Sequence, residues 1–288
     1  MRPANLNTRI FLDGGDPQET RSIKDRLGFL DGQTTNPTLI SKNPEAKHHL
    51  ESGKKFSKRE VFEFYQTTVR EISGLIPDGS VSVEVYADAQ TTAEEMLMQG
   101  REMFGWIPNA HVKYPCTREG LTAAEQSVKE GMRVNLTLVF SQQQAAAVYA
   151  ATKGAKEGQV FLSPFIGRLD DRGECGLDLL ANIIRMYTEG DGHVQVLTAS
   201  VRTLDHLMAA IGLSSDIATV PGSILTQWAD AGSSTSARGP YDCGSLTPID
   251  FEALSLAQPW QSFDLRHSLT DVGIQKFSSD WNQLIAPH

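Results

Sequence analysis

The sequence predicts an α/β protein, a single (β/α)8 barrel, and three observations predict it. Eight short runs have the apolar, strand-like character of a buried parallel sheet, helical segments alternate with them, and polar residues gather at their C-terminal ends. The 288 residues would allow two average domains, yet α/β barrels fill this length as one.

The strand-like runs are residues 10–13, 28–34, 81–85, 111–115, 134–139, 160–163, 194–198 and 217–220. Residues 28–34 have weak strand propensity and are placed mainly by position. Helical spacing of apolar residues marks 91–104, 119–130, 142–151, 177–187 and 200–211, the last with Ser200 as its expected N-cap. Residues 41–76 exceed one barrel unit and contain a charged stretch, 53–60, that reads as a solvated face or loop. Residues 229–246 are rich in Gly and Ser and read as a loop or lid, so 229–266 is taken as an insertion. Residues 267–288 form a C-terminal helix with Val272, Ile274, Phe277 and Trp281 as apolar contacts. It can pack on its own barrel or on a neighbouring subunit, which leaves a homo-oligomer open.

Composition narrows the function. The chain is 40% hydrophobic and 21% charged, ordinary for a soluble globular protein, and its net charge of −9 weighs against a nucleic-acid partner. Cys116, Cys175 and Cys243 are odd in number and widely spaced, with no zinc pattern and no disulfide framework, so a reducing compartment is expected. The N-terminus has no apolar signal region, and no apolar run is long enough to span a membrane. The expected location is the cytoplasm, with no membrane partner and no metal.

Barrel enzymes build their sites at the C-terminal ends of their strands. There, in chain order, stand Asp13, Asn36, Glu84, Lys113, Asn135 with Thr137, Ser163 with Arg168, and Ser200 with Arg202. Lys113 lies between Val112 and Tyr114, where a lysine is unfavourable unless exposed, ion-paired or needed. An amine that attacks a carbonyl must be neutral, and a barrel interior disfavours the charged form by desolvation. Asp13 and Glu84 are two separate carboxylates, suited to two proton-transfer tasks as well as to ion pairs or caps. Two arginines and a serine near adjacent strand ends suit a phosphate, and Gly167 would let a ligand approach the backbone. Cys116 reads as a small packed residue close to Lys113.

Several of these stretches resemble the transaldolase family. TTNPT at residues 34–38 is similar to its second-strand signature, and VKYPCT at 112–117 to its lysine motif. NLTLVFS at 135–141, SPFIGR at 163–168 and ASVR at 199–202 resemble its fifth-, sixth- and seventh-strand motifs, and TDVGIQKFSSDW its C-terminal helix. The motifs fall in order and cover nearly the whole chain outside residues 229–266. The resemblance implies a (β/α)8 barrel without metal or organic cofactor that acts on sugar phosphates. It implies that Lys113 forms a Schiff base with a ketose carbonyl, Asp13 takes the proton from the C4 hydroxyl, and Glu84 and Thr137 hold the water of imine formation. Asn36 and Ser163 would bind the dihydroxyacetone part, with Asn135 beside them, and Arg168, Ser200 and Arg202 the phosphate. Tyr114 and Cys116 depart from the small or aliphatic residues usual around the lysine; strand alternation should turn Tyr114 away from it.

The resemblance leaves rival activities. A transaldolase of the pentose phosphate pathway would move a dihydroxyacetone unit from sedoheptulose 7-phosphate or fructose 6-phosphate to an aldose phosphate. The lyase branch, fructose-6-phosphate aldolase, tends to carry Gln where Glu84 stands and Tyr where Phe165 stands, so both positions here favour transfer. A sugar-phosphate-binding barrel without turnover would need the arginines but not Asp13, Glu84 and Lys113.

Overall fold

The structure, a computed structural model, describes residues 2–235 and 241–286. Its elements in chain order are β1 (Arg9–Asp13), α1 (Pro17–Leu27), β2 (Gly32–Thr34), α2 (Pro37–Ser41), α3 (Pro44–Glu51), α4 (Lys58–Leu75) and β3 (Ser80–Glu84). There follow α5 (Ala93–Phe104), β4 (Ala110–Pro115), α6 (Arg118–Lys129), β5 (Val134–Val139), α7 (Gln142–Ala151), β6 (Val160–Pro164), α8 (Ile166–Asp170) and α9 (Gly176–Tyr187). The chain continues through β7 (Val194–Thr198), α10 (Leu204–Gly212), β8 (Ile217–Val220) and α11 (Gly222–Asp230) to α12 (Ser268–Leu284). The eight strands are parallel, pair in sequence order and close through β1 and β8, which is the expected (β/α)8 barrel.

Alternation along each strand decides what enters the barrel. On β4, Val112 and Tyr114 face the helices, while His111, Lys113 and Pro115 face inward; the register sets Lys113 beside Glu84 of β3 and Asn135 of β5. Tyr114 reaches Ser127 of α6 at 3.0 Å, as expected for a side chain turned away from Lys113. A Cβ on Gly100 would stand 1.8 Å from its hydroxyl, so α5 needs a glycine there. Cys116 is fully buried, and desolvation raises its thiol pKa, so it packs rather than reacts.

The inner end away from the strand termini is filled with packing groups. His111 stacks on Phe161 at 3.9 Å, and its Nδ1 and Nε2 meet Ser80 Oγ at 2.6 Å and the Gly158 carbonyl at 3.0 Å. These partners suit a neutral ring, and burial lowers its pKa to about 3. The unfolded value is about 6.5, so the contribution is full above it and is lost as pH falls toward the folded value, by about 1.4 kcal/mol per pH unit. In urea titrations between pH 7 and pH 4.5, His111→Gln should be less stable at pH 7 yet lose stability less steeply on acidification. Parallel curves would rule out this origin.

Several expectations need correction. The second strand is only Gly32–Thr34, because Gly28, at φ 75, ends α1 in a left-handed cap. α10 begins at Leu204 with Thr203 as N-cap, not at Ser200, which adopts φ 59. By contrast, the charged stretch 53–60 is solvent-exposed apart from Phe56, as expected of a solvated face or loop, and its Ser57 and Glu60 form the capping box that starts α4. On α12, Phe277 and Trp281 are buried, whereas Val272 is 56% exposed and makes no core contact.

Cys175 and Cys243 form a disulfide with Cα atoms 5.6 Å apart, so the expectation of no disulfide is wrong, and the reducing compartment loses that support. The pairing spans 68 residues and was not legible from spacing. The segment near Thr247 brings the sulfurs together by running beside Gly173–Cys175, with Thr247 N donating to Gly173 O and Cys175 N to Thr247 O, both at 2.8 Å.

Residues 236–240 of the suggested lid lie outside the described residues. The described remainder follows the outer helices: Gln142 of α7 and Asn182 of α9 hold Asp250 and Ile249 carbonyls, and Trp260 reaches Glu125 of α6. α12 packs across its own barrel, tied by Phe56 N to Leu284 O and Ala286 N to Phe56 O, each at 2.9 Å. No helix among the described residues is long and apolar enough to cross a membrane.

Candidate active site

A cavity of about 540 Å³ opens at the C-terminal ends of the strands. Asp13, Asn36, Lys113, Ser163, Phe165, Arg168, Ser200 and Arg202, all named from sequence, line it. Glu84, Asn135 and Thr137 lie buried among the strands and are not part of its lining.

Lys113 and Glu84 are 3% and 4% exposed, with Nζ 2.9 Å from Glu84 Oε2. Nζ also lies 3.5 Å from the Thr35 carbonyl. Burial raises the pKa of Glu84, partly offset by Lys113 beside it, so this carboxylate accepts a proton readily. Glu84 Oε2 and the Thr137 hydroxyl are buried without a well-aligned hydrogen-bond partner among the described residues. Beyond Thr137, Leu138 takes φ 58 and the β5–β6 register shifts, a bulge of the kind found next to active sites.

Asp13 ends β1 and accepts from Thr34 Oγ1 at 2.7 Å; Thr34 in turn meets Thr219 of β8 at 2.6 Å. Desolvation raises the Asp13 pKa, while Lys113 and then Thr34 pull it down. Asn36 caps α2 by accepting from Leu39 N at 2.9 Å, which fixes its side chain at the rim. Asn135 joins its neighbours inside the barrel: it donates to Ser82 Oγ at 3.0 Å and accepts from Ser163 Oγ at 2.7 Å. Asn135 therefore orients Ser163 from beneath instead of lining the cavity.

Arg168 lies between aromatic rings, 5.2 Å from the Phe165 centroid and 5.4 Å from that of Phe277 on α12. Burial, and then Arg202 nearby, lower its pKa. Arg202 is half-exposed and pairs with Asp171 at 3.1 Å. Gly167 serves a different purpose from the one expected. A Cβ there would stand 2.3 Å from Ser200 O and 2.4 Å from Arg202 Cγ, so the glycine admits the neighbouring loop, not a ligand.

Sequence reasoning missed Thr219, Lys42, Gln227, Lys276 and Phe277, which also line the cavity. Thr219 had a signal, as the polar residue of the eighth strand. Lys276 and Phe277 had none, because helical periodicity does not show that α12 crosses the barrel mouth.

The barrel and its mouth, with a buried lysine–carboxylate pair and clustered cations, are those of an aldolase-type enzyme. Residues 10–287 match the model of the Transaldolase/Fructose-6-phosphate aldolase family, and the chain belongs to that family. Curated relatives named "Probable transaldolase" include one from Dehalococcoides mccartyi, 34% identical over 96% of this chain and 99% of the relative. Another, from Phenylobacterium zucineum, is 34% identical over 95% of this chain and 96% of its own, and one from Roseiflexus sp. is 33% identical over the same shares.

Proposed function

We propose that this protein is a transaldolase that moves a dihydroxyacetone unit from a ketose phosphate to an aldose phosphate through a Schiff base on Lys113. The observation that carries the reading is the placement of Lys113: a buried amine at a cavity that also holds Asp13, Arg168 and Arg202. Proton transfer to Glu84, 2.9 Å away, frees the amine to attack the ketose carbonyl. Loss of water from the carbinolamine requires proton shuttling, for which Glu84 and the Thr137 hydroxyl are the available buried groups.

The iminium then accepts the electron pair of the C3–C4 bond as Asp13 removes the C4 hydroxyl proton. The aldose phosphate leaves, and a three-carbon enamine stays on Lys113. Asn36 and Ser163 bind its hydroxyls, while Arg168, Ser200 and Arg202 hold the phosphate end of donor and acceptor. The acceptor aldehyde takes the enamine carbon, and Asp13 returns its proton. Sugar phosphates are thus the proposed partners.

Phe165 favours transfer over cleavage. Its ring lines the cavity and offers no proton donor to the enamine, whereas a tyrosine would bring an acidic hydroxyl. With fructose 6-phosphate alone, product formation should be slow, and an aldose phosphate acceptor should restore fast turnover. Phe165→Tyr should raise acceptor-independent cleavage and lower transfer. Equal rates with and without acceptor in the unmodified protein would establish the lyase activity instead.

A further inference from the structure

Two backbone segments carry the cationic end of the cavity: α8 with Arg168, and the β7–α10 connection with Ser200 and Arg202. They are zipped together, with Ile166 N donating to Ala199 O and Gly167 N to Ser200 O, each at 3.1 Å. Ser200 sits at φ 59, a conformation costly for a residue with a side chain, so its surroundings must hold it there.

His206 supplies a second clasp. It lies in the first turn of α10, where its own N–H donates to the capping Thr203 hydroxyl at 3.1 Å. Its Nδ1 accepts from Arg202 N at 3.3 Å, and its Nε2 is 2.8 Å from Asp170 Oδ2. The Arg202 N–H needs a lone pair on Nδ1, so the ring hydrogen sits on Nε2 and faces the carboxylate. One imidazole, 12% exposed, therefore joins the Arg202 backbone to the last residue of the helix that carries Arg168. His206 lines a separate cavity behind these segments and not the substrate cavity, so an effect on substrate must pass through the residues it holds.

We infer that His206, braced by Asp170, is a positioning residue that fixes the spacing of Arg168, Ser200 and Arg202 and so sets affinity for the phosphate of the substrate. The inference rests on the reading that these three residues hold that phosphate. A grip that binds the phosphate equally in ground state and transition state alters KM and leaves kcat.

The test varies His206, because Asp170 Oδ1 also accepts from Gly176 N at 2.9 Å and its loss would disturb the start of α9. In His206→Ala, the KM for fructose 6-phosphate and the Ki for inorganic phosphate should both rise about tenfold, the scale of one or two lost hydrogen bonds. Turnover at saturation should change little, and so should the KM for unphosphorylated fructose. His206→Asn, whose amide oxygen can take the Arg202 N–H, should recover part of the loss. An unchanged Ki, or equal damage to fructose and its phosphate, would overturn the inference, whatever the melting temperature does. Arg202→Ala separates the two levels. If it weakens inorganic phosphate and His206→Ala does not, only the clasp fails; if neither does, the phosphate reading itself fails.

Discussion

Lys113→Met should bring transaldolase turnover below detection while the barrel stays folded. The amine is the proposed covalent nucleophile, and among the described residues no other lysine lies within a barrel strand. Borohydride reduction with fructose 6-phosphate should place a mass adduct on Lys113 in the unmodified protein and none in the variant. Removing one partner of a buried ion pair commonly costs about 3–5 kcal/mol, because the other charge is stranded. Here Glu84 has a raised pKa and can take a proton instead, so the loss of stability should be smaller. An adduct on a different lysine, or turnover in Lys113→Met, would sink the mechanism.

The barrel was legible because its signals are local and repeated. Runs such as Val134–Val139 and Val194–Thr198 are strongly apolar, and the structure keeps their bounds. β2 was hardest, since three residues, Gly32–Thr34, carry little propensity and the preceding Gly28 belongs to a helix cap. The polar cavity residues at strand ends, Asp13, Lys113 and Ser163 among them, were legible because an inward polar residue there has few structural uses. What escaped depends on contacts distant in sequence. Phe277 reaches Arg168 only because α12 crosses the mouth, and a Cβ on Gly273 would come within 2.9 Å of the Arg168 guanidinium. The Cys175–Cys243 pairing likewise requires a strap that sequence periodicity cannot route. Ser200 was misread because a serine before an apolar helical face has the signature of an N-cap, and its left-handed backbone leaves no mark in composition.

Asp13→Ala should separate bond cleavage from imine formation. The Asp13 carboxylate, held by Thr34 at 2.7 Å, is proposed to take the C4 hydroxyl proton as the C3–C4 bond breaks. General-base catalysis of this kind contributes about 10²–10⁴-fold, so kcat should fall within that range. Imine formation uses Lys113 and Glu84, so borohydride should still trap the donor in the variant. Burial raises the Asp13 pKa, so in the unmodified protein the acid limb of kcat/KM, which reports the free enzyme, should fall above the ordinary carboxylate range, about 3.9, and the variant should lose that limb. Stability should move the opposite way to activity. A carboxylate whose folded pKa is raised opposes folding increasingly as pH rises from its unfolded value through its folded one. Removing it relieves that cost, so Asp13→Ala should melt no lower than the unmodified protein at pH 7 and lose any advantage in acid, where both forms are neutral. A variant that neither turns over nor traps the donor would assign Asp13 to imine formation instead, and one with unchanged kcat would leave cleavage to another base.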